Sequence, residues 1–220
     1  CAETPVSLSL LDFFAEPAAR LLGGGVLPTR ARGVLYFGAS PWHTDSEHDV
    51  ASVGLACYLE PLAAENGALR VLPGSHRPEL AKAIASYAGL RNAAGTAAAD
   101  GAGLASIPGY PIETRPGDVI AFDEHLYHAS SGGRNRRQWR VDYVTDPVTG
   151  DEESKVRAYY ASQYPPDWNG GYDVERYPSY GPHWRASSRP WVDRLAQLGV
   201  YELASAEESF ARSQWGASER

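Results

Sequence analysis

The chain has 220 residues and a net charge of −7, enough length for one sizeable core and the wrong charge for a nucleic-acid footprint. Its 43% hydrophobic and 21% charged residues are those of a globular protein and exclude disorder as the general state. Two cysteines, Cys1 and Cys57, cannot build a disulfide framework and no apolar run reaches bilayer length, so a soluble, cytoplasmic protein without membrane contact is expected. The chain starts at Cys1 and contains no Met, so a longer translated product is expected.

Apolar residues recur at helical spacing over 8–22 and stop at three glycines, which predicts an N-terminal helix. Strand-like runs follow at 33–38, 50–59 and 68–72, with E-N-G at 65–67 and P-G-S-H at 73–76 as turns. The Ala/Gly-rich segment 81–106 has few large side chains to anchor it and is expected to be a mobile excursion or lid with one short helical piece. Strands resume at 110–114, 118–122, 125–130 and 136–145. The stretch 161–184, rich in Tyr, Trp, Pro and Gly, reads as an irregular aromatic loop. Two helices close the chain, one with Ser188 as N-cap, Pro190 in its first turn and Gly199 as stop, the other opening on Ser205 and Glu208. No repeat appears, and a single domain over 1–220 is expected, its core at 30–146 and its aromatic loop and helices at 147–220.

The chemistry lies in the histidines. In an extended segment residues i and i+2 point to one side, so His43 and Asp45 of H-T-D can face one ion. A third ligand must come from His48, His76, His125, His128 or His183, and H-L-Y-H-A-S at 125–130 offers two directly after the apolar strand D-V-I-A-F. Two His and one carboxylate form the facial triad of non-haem Fe(II) oxygenases, which leaves three coordination positions open.

H-T-D at 43–45, E-N-G-A-L-R-V-L-P-G-S-H-R at 65–77, G-D-V-I-A-F at 117–122, L-Y-H-A-S at 126–130 and R-R-Q-W-R-V-D-Y at 136–143 stand in the order of the motifs of the phytanoyl-CoA dioxygenase family, which the chain resembles over 8–145. The resemblance implies a mainly β fold, the double-stranded β-helix of jelly-roll or cupin type, here with flanking N- and C-terminal helices. It also implies Fe(II), 2-oxoglutarate as co-substrate, and O2. The implied ligands are His43, Asp45 and His128, since the family's distal His precedes a small residue and a Ser; His125, three residues earlier, is the competitor.

An interior that holds an ion and a dicarboxylate is the polar face of 136–143, carrying Arg136, Gln138, Arg140 and Asp142 rather than Arg137, Trp139, Val141 and Tyr143. The family's 2-oxoglutarate arginine stands seven residues before an aromatic, as Arg136 does before Tyr143, and a guanidinium fork suits a carboxylate. Ser130 takes the position of the family's co-substrate serine. The interval from His128 to Arg136 is shorter than the family's, so Arg137 and Arg140 stay open as alternatives, while Arg134 reads as a solvated charge. Arg140 and Asp142, further along that face, either pair with other protein groups or bind substrate. His76 is assigned to holding a turn, and His48 and His183 to the surface.

The implied reaction converts 2-oxoglutarate to succinate and CO2 while oxidising an unactivated C–H of a polar small molecule, in keeping with a tailoring role in secondary metabolism. Asp45 favours hydroxylation over halogenation, which needs its place for a halide. The rivals are a cupin-type metal-dependent isomerase or hydrolase, and a non-catalytic metal-binding module. Only 42 residues precede His43, fewer than is usual in the family, so no co-substrate contact is carried over from that side.

Overall fold

A computed structural model describes residues 4–84, 107, 109–163 and 180–206. Most of the Ala/Gly-rich excursion, most of the aromatic stretch and nearly all of the helix expected from Ser205 lie outside these residues. The strands are β1 Val26–Pro28, β2 Arg32–Tyr36, β3 Ser40–His43, β4 Ser52–Tyr58, β5 Asn66–Val71, β6 Tyr110–Ile112, β7 Ile120–Asp123, β8 His128–Gly132 and β9 Arg136–Thr145. They make one sheet in the order β1-β9-β4-β7, with β2 also on β9, and a second in the order β3-β8-β5-β6.

The pairing is nested: β2 joins β9, β3 joins β8, β4 joins β7 and β5 joins β6. A single long hairpin wound so that its successive segments fall alternately into two sheets produces this pattern, and it is the double-stranded β-helix. The fold is therefore mainly β, with flanking helices, as expected.

Two compact units share the chain, one of Gly33–Glu47 and Val53–Arg140, the other of Cys1–Arg32, His48–Ser52 and Val141–Arg220. In the first, Ala56, Tyr58, Leu62, Leu69, Ile120 and Phe122 form the main apolar cluster, and Trp42 packs with Ala129 in a smaller one. Strand β4 is buried along nearly its whole length, which is why its sequence is a continuous apolar run rather than an alternating one. In β7 only Ile120 and Phe122 are buried, so D-V-I-A-F alternates.

In the other unit α1, Pro5–Leu22, turns Leu8, Leu11, Phe14 and Ala18 inward. Thr4 caps it by accepting from the Ser7 N–H at 3.2 Å, and Gly23 closes it in the left-handed region at φ 77°. Tyr143 hydrogen-bonds the Leu11 carbonyl at 2.7 Å, tying the helix to β9. The helix α3, Gly150–Gln163, follows α2, Pro78–Ile84, in chain order and has no amphipathic pattern to announce it. Its signal was T-x-x-E: Thr149 Oγ1 accepts from the Glu152 N–H and the Glu152 carboxylate accepts from the Thr149 N–H, a capping box. Short α4, Pro182–Arg185, falls within the stretch expected to be loop, and α5, Pro190–Gln197, is followed by helical residues at 200–206. Ser188 is not the N-cap of α5: Arg189 is, with no side-chain cap, because Pro190 already occupies the first helical position and needs no N–H partner.

Strands β1 and β3, three and four residues long, are too short for a periodic signal. Among the described residues no helix is long and apolar enough to cross a membrane. Substituting the fully buried Leu11 with Ala should lower the unfolding free energy in urea by about 2–5 kcal/mol, whereas Phe13→Ala, at a position 68% exposed, should change it by under about 0.5 kcal/mol.

Candidate active site

His43 ends β3 and His128 begins β8, and the two face each other in the antiparallel register. Asp45 follows two residues after His43, its backbone N–H donating to the Glu124 carbonyl at 2.8 Å, so the turn after β7 fixes where its side chain starts. The three side chains bring a donor atom each to within 4.8 Å of one another, a group able to hold a metal ion. Asp45 Oδ1 lies 3.5 Å from His43 Nε2 and Oδ2 lies 3.3 Å from His128 Nε2.

Both imidazoles are set for ligation by their other nitrogen. His43 Nδ1 lies 2.6 Å from the Pro41 carbonyl and His128 Nδ1 lies 2.9 Å from the Leu126 carbonyl. A carbonyl only accepts, so each Nδ1 carries the proton and each Nε2 presents its lone pair. Burial pushes the His128 imidazole down to about 4, against the pull of Asp45, which keeps it neutral at neutral pH. For Asp45, burial opposes the charge, but the nearby positive charge, chiefly the Arg140 guanidinium, outweighs it and holds the carboxyl well below the usual carboxylate range. Asp45 Oδ2 is buried and forms an ion pair with Arg140 Nη2 at 2.8 Å.

His125 stays outside. It sits in the turn before β8, which begins three residues later than the sequence run implied, and its ring pairs with Asp123 at 2.8 Å.

The same cavity is lined by Tyr36, Tyr58, Ser130, Arg136, Gln138 and Arg140. Arg136 is 2% exposed, donates to the Gly67 carbonyl at 3.1 Å and the Gly38 carbonyl at 2.6 Å, and lies over the Tyr36 ring at 4.9 Å. Its Nε is buried without a hydrogen-bond partner, and among the described residues no carboxylate pairs with it. Gly67, at φ 107°, is required here: a Cβ would lie 2.5 Å from Arg136 Cδ. The E-N-G motif, read from sequence only as a turn, thus also makes room for the arginine stem. Ser130, two residues after His128 on β8, is 2% exposed.

The other basic candidates are engaged elsewhere. Arg137 points outward and is paired with Glu60. Arg140 stands 2.8 Å from Asp45 Oδ2 and 3.4 Å from Glu124 Oε1. Asp142 is fully buried against Arg32, and its backbone N–H donates to Thr29; it is not among the residues lining the cavity. Arg134 is exposed, as expected. His76 is exposed too, and the turn it was assigned to hold is tied instead by Ser75, whose hydroxyl accepts from the Tyr127 N–H at 2.8 Å. Sequence reasoning gave no role to Glu124, Tyr36 or Tyr58, which stand in no motif; Gln138 was placed on the polar face without a function.

The sequence matches the family description "Phytanoyl-CoA dioxygenase (PhyH)" over residues 34–141, which contain the whole cavity. Over those residues, a little under half of the chain, it is similar to the phytanoyl-CoA dioxygenase family. Solved structures similar to the chain include EctD from S. alaskensis with bound Fe, at 25% identity and a TM-score of 0.49, covering 66% of this chain and 54% of that one. AviO1 from Streptomyces viridochromogenes Tue57 has 26% identity and a TM-score of 0.48, with 66% and 63% covered, and EvdMO1 has 25% and 0.48, with 64% and 33% covered. The chain thus spans less than two thirds of the length of each of these proteins. No curated protein matches it.

His128→Ala should weaken binding of Co(II), read by its visible absorption, by more than roughly 100-fold, while His125→Ala leaves it unchanged. Equal losses in the two variants would contradict the triad.

Proposed function

We propose that the chain is an Fe(II)- and 2-oxoglutarate-dependent dioxygenase that hydroxylates an unactivated C–H of a small molecule. The observation that carries this reading is the pairing, in one cavity, of a His-Asp-His triad with a buried guanidinium that has no carboxylate partner among the described residues. A buried cation without a counter-charge is costly, and a dicarboxylate that also reaches the metal removes the cost. His43, Asp45 and His128 would hold the iron, which supplies coupled decarboxylation of the co-substrate and O2-dependent oxidation of the substrate. Arg136 would take the distal carboxylate, with the Ser130 hydroxyl beside it and Tyr36 stacked on the guanidinium. Burial, with Tyr36 adding, pushes the Tyr58 phenol up to about 12, so it stays a neutral donor rather than a second anion. Asp45 fills the ligand position that a halide would need, which favours hydroxylation. The polar wall of Ser40, Tyr36 and Gln138 suits a polar substrate over a bare hydrocarbon chain.

Fe(II)-dependent formation of succinate from 2-oxoglutarate, requiring O2, tests the reading; turnover of any substrate without O2 or succinate would favour a metal-dependent isomerase or hydrolase. Arg136→Gln should raise the KM for 2-oxoglutarate by roughly 10–100-fold with Fe(II) affinity nearly unchanged. Gly67→Ala should do the same more mildly, because its Cβ displaces the arginine stem without touching the metal ligands. A normal KM in Arg136→Gln with a raised one in Arg140→Gln would move the role four residues along β9.

A further inference from the structure

Arg140 occupies an unusual place. One of its terminal nitrogens, Nη2, lies 2.8 Å from Asp45 Oδ2 and 3.4 Å from Glu124 Oε1, and its guanidinium carbon lies 5.3 Å from the centre of the Phe122 ring. Glu124 is fully buried, and its backbone carbonyl also accepts from the N–H groups of Asp45 and Ser46. One residue therefore fixes both the start of the Asp45 side chain and the orientation of the cation that faces its far oxygen. Oδ2 lies between Arg140 Nη2 at 2.8 Å and His128 Nε2 at 3.3 Å, and Oδ1, which no guanidinium faces in these pairs, lies 3.5 Å from His43 Nε2.

We infer that Arg140 is a positioning residue that keeps Asp45 a one-oxygen ligand, with Glu124 as its anchor; this rests on the metal site proposed above. A carboxylate can bind an ion through one oxygen or both. Two imidazoles and one oxygen leave three of six positions open, two for a chelating 2-oxo acid and one for O2. A second oxygen from Asp45 would fill the last of them. A guanidinium at 2.8 Å competes for that oxygen's lone pairs and holds it off the metal. The guanidinium offsets one of the two buried carboxylate charges, and a bound metal ion would offset the other.

The test is anaerobic and does not depend on a known substrate. Wild type, Arg140→Met, Arg140→Lys and Glu124→Gln are loaded with Fe(II) and 2-oxoglutarate, binding of each is followed by the iron-to-2-oxo-acid charge-transfer absorption, and nitric oxide is then titrated as a probe of the last position by electron paramagnetic resonance. Arg140→Met should bind Fe(II) and 2-oxoglutarate within roughly threefold of wild type yet need at least about tenfold more nitric oxide, with Arg140→Lys recovering part of the loss. Unchanged nitric oxide binding in Arg140→Met overturns the inference. So does a parallel fall in Fe(II), 2-oxoglutarate and nitric oxide binding, which a merely structural role produces. If Arg140→Met does not fold, Glu124→Gln decides in the same way, by a selective loss or by none. Absence of the charge-transfer absorption in wild type would instead sink the metal site itself.

Discussion

The β3·β8 register carries the site. His43 and His128 oppose each other only because these strands pair where they do, with Ser40 opposite Ser130 and an irregularity between the two pairs. A slip of one residue would turn His128 and Ser130 to the other face together and put Ala129, now packed with Trp42, in their place. β5 pairs with the other edge of β8, with Leu69 opposite Ser130 and Val71 opposite His128, so the metal-side strand is held from both sides. The bend at Asp123–Leu126 then delivers β8 at the right residue, with the Leu126 N–H on the Asp123 carbonyl at 2.9 Å.

Charge balance is the second constraint. The cavity contains Arg136 and Arg140, and only one of them has carboxylate partners inside it. Arg140 lies beside both Asp45 and Glu124, and its charge helps Asp45 stay ionised in a buried place. Arg136 is stabilised by two carbonyls and an aromatic face but by no anion among the described residues, and the proposed role in holding an anionic co-substrate rests on that imbalance. The two arginines lie on the same strand four residues apart in different surroundings, one beside carboxylates and the other beside carbonyls and an aromatic ring.

Much of this was legible in the sequence because strands report their faces. The alternation in R-R-Q-W-R-V-D-Y places Arg136, Gln138 and Arg140 on one polar face, and the H-x-D spacing puts two candidate ligands on one side. Where residues act through tertiary contacts the sequence was silent. Glu124 in D-E-H looks like any charged turn, and only its backbone and side-chain partners mark it. Asp142 looked equivalent to Arg140 by period, yet Arg32 claims it, a partner 110 residues away that no local pattern announces. The helix α3 was missed for a different reason: its buried Val156, Tyr159 and Tyr160 form too narrow a stripe to stand out, and its cap was the only clear signal.

Crystals of the chain grown anaerobically with Fe(II) and 2-oxoglutarate, measured by anomalous diffraction at the iron edge, test the central claim most directly. The account predicts an iron peak bonded to His43 Nε2, His128 Nε2 and a single Asp45 oxygen, with the distal carboxylate of 2-oxoglutarate on the Arg136 guanidinium. Iron at another cluster, or a co-substrate carboxylate held by Arg137 or Arg140 while Arg136 stays unengaged, would contradict it.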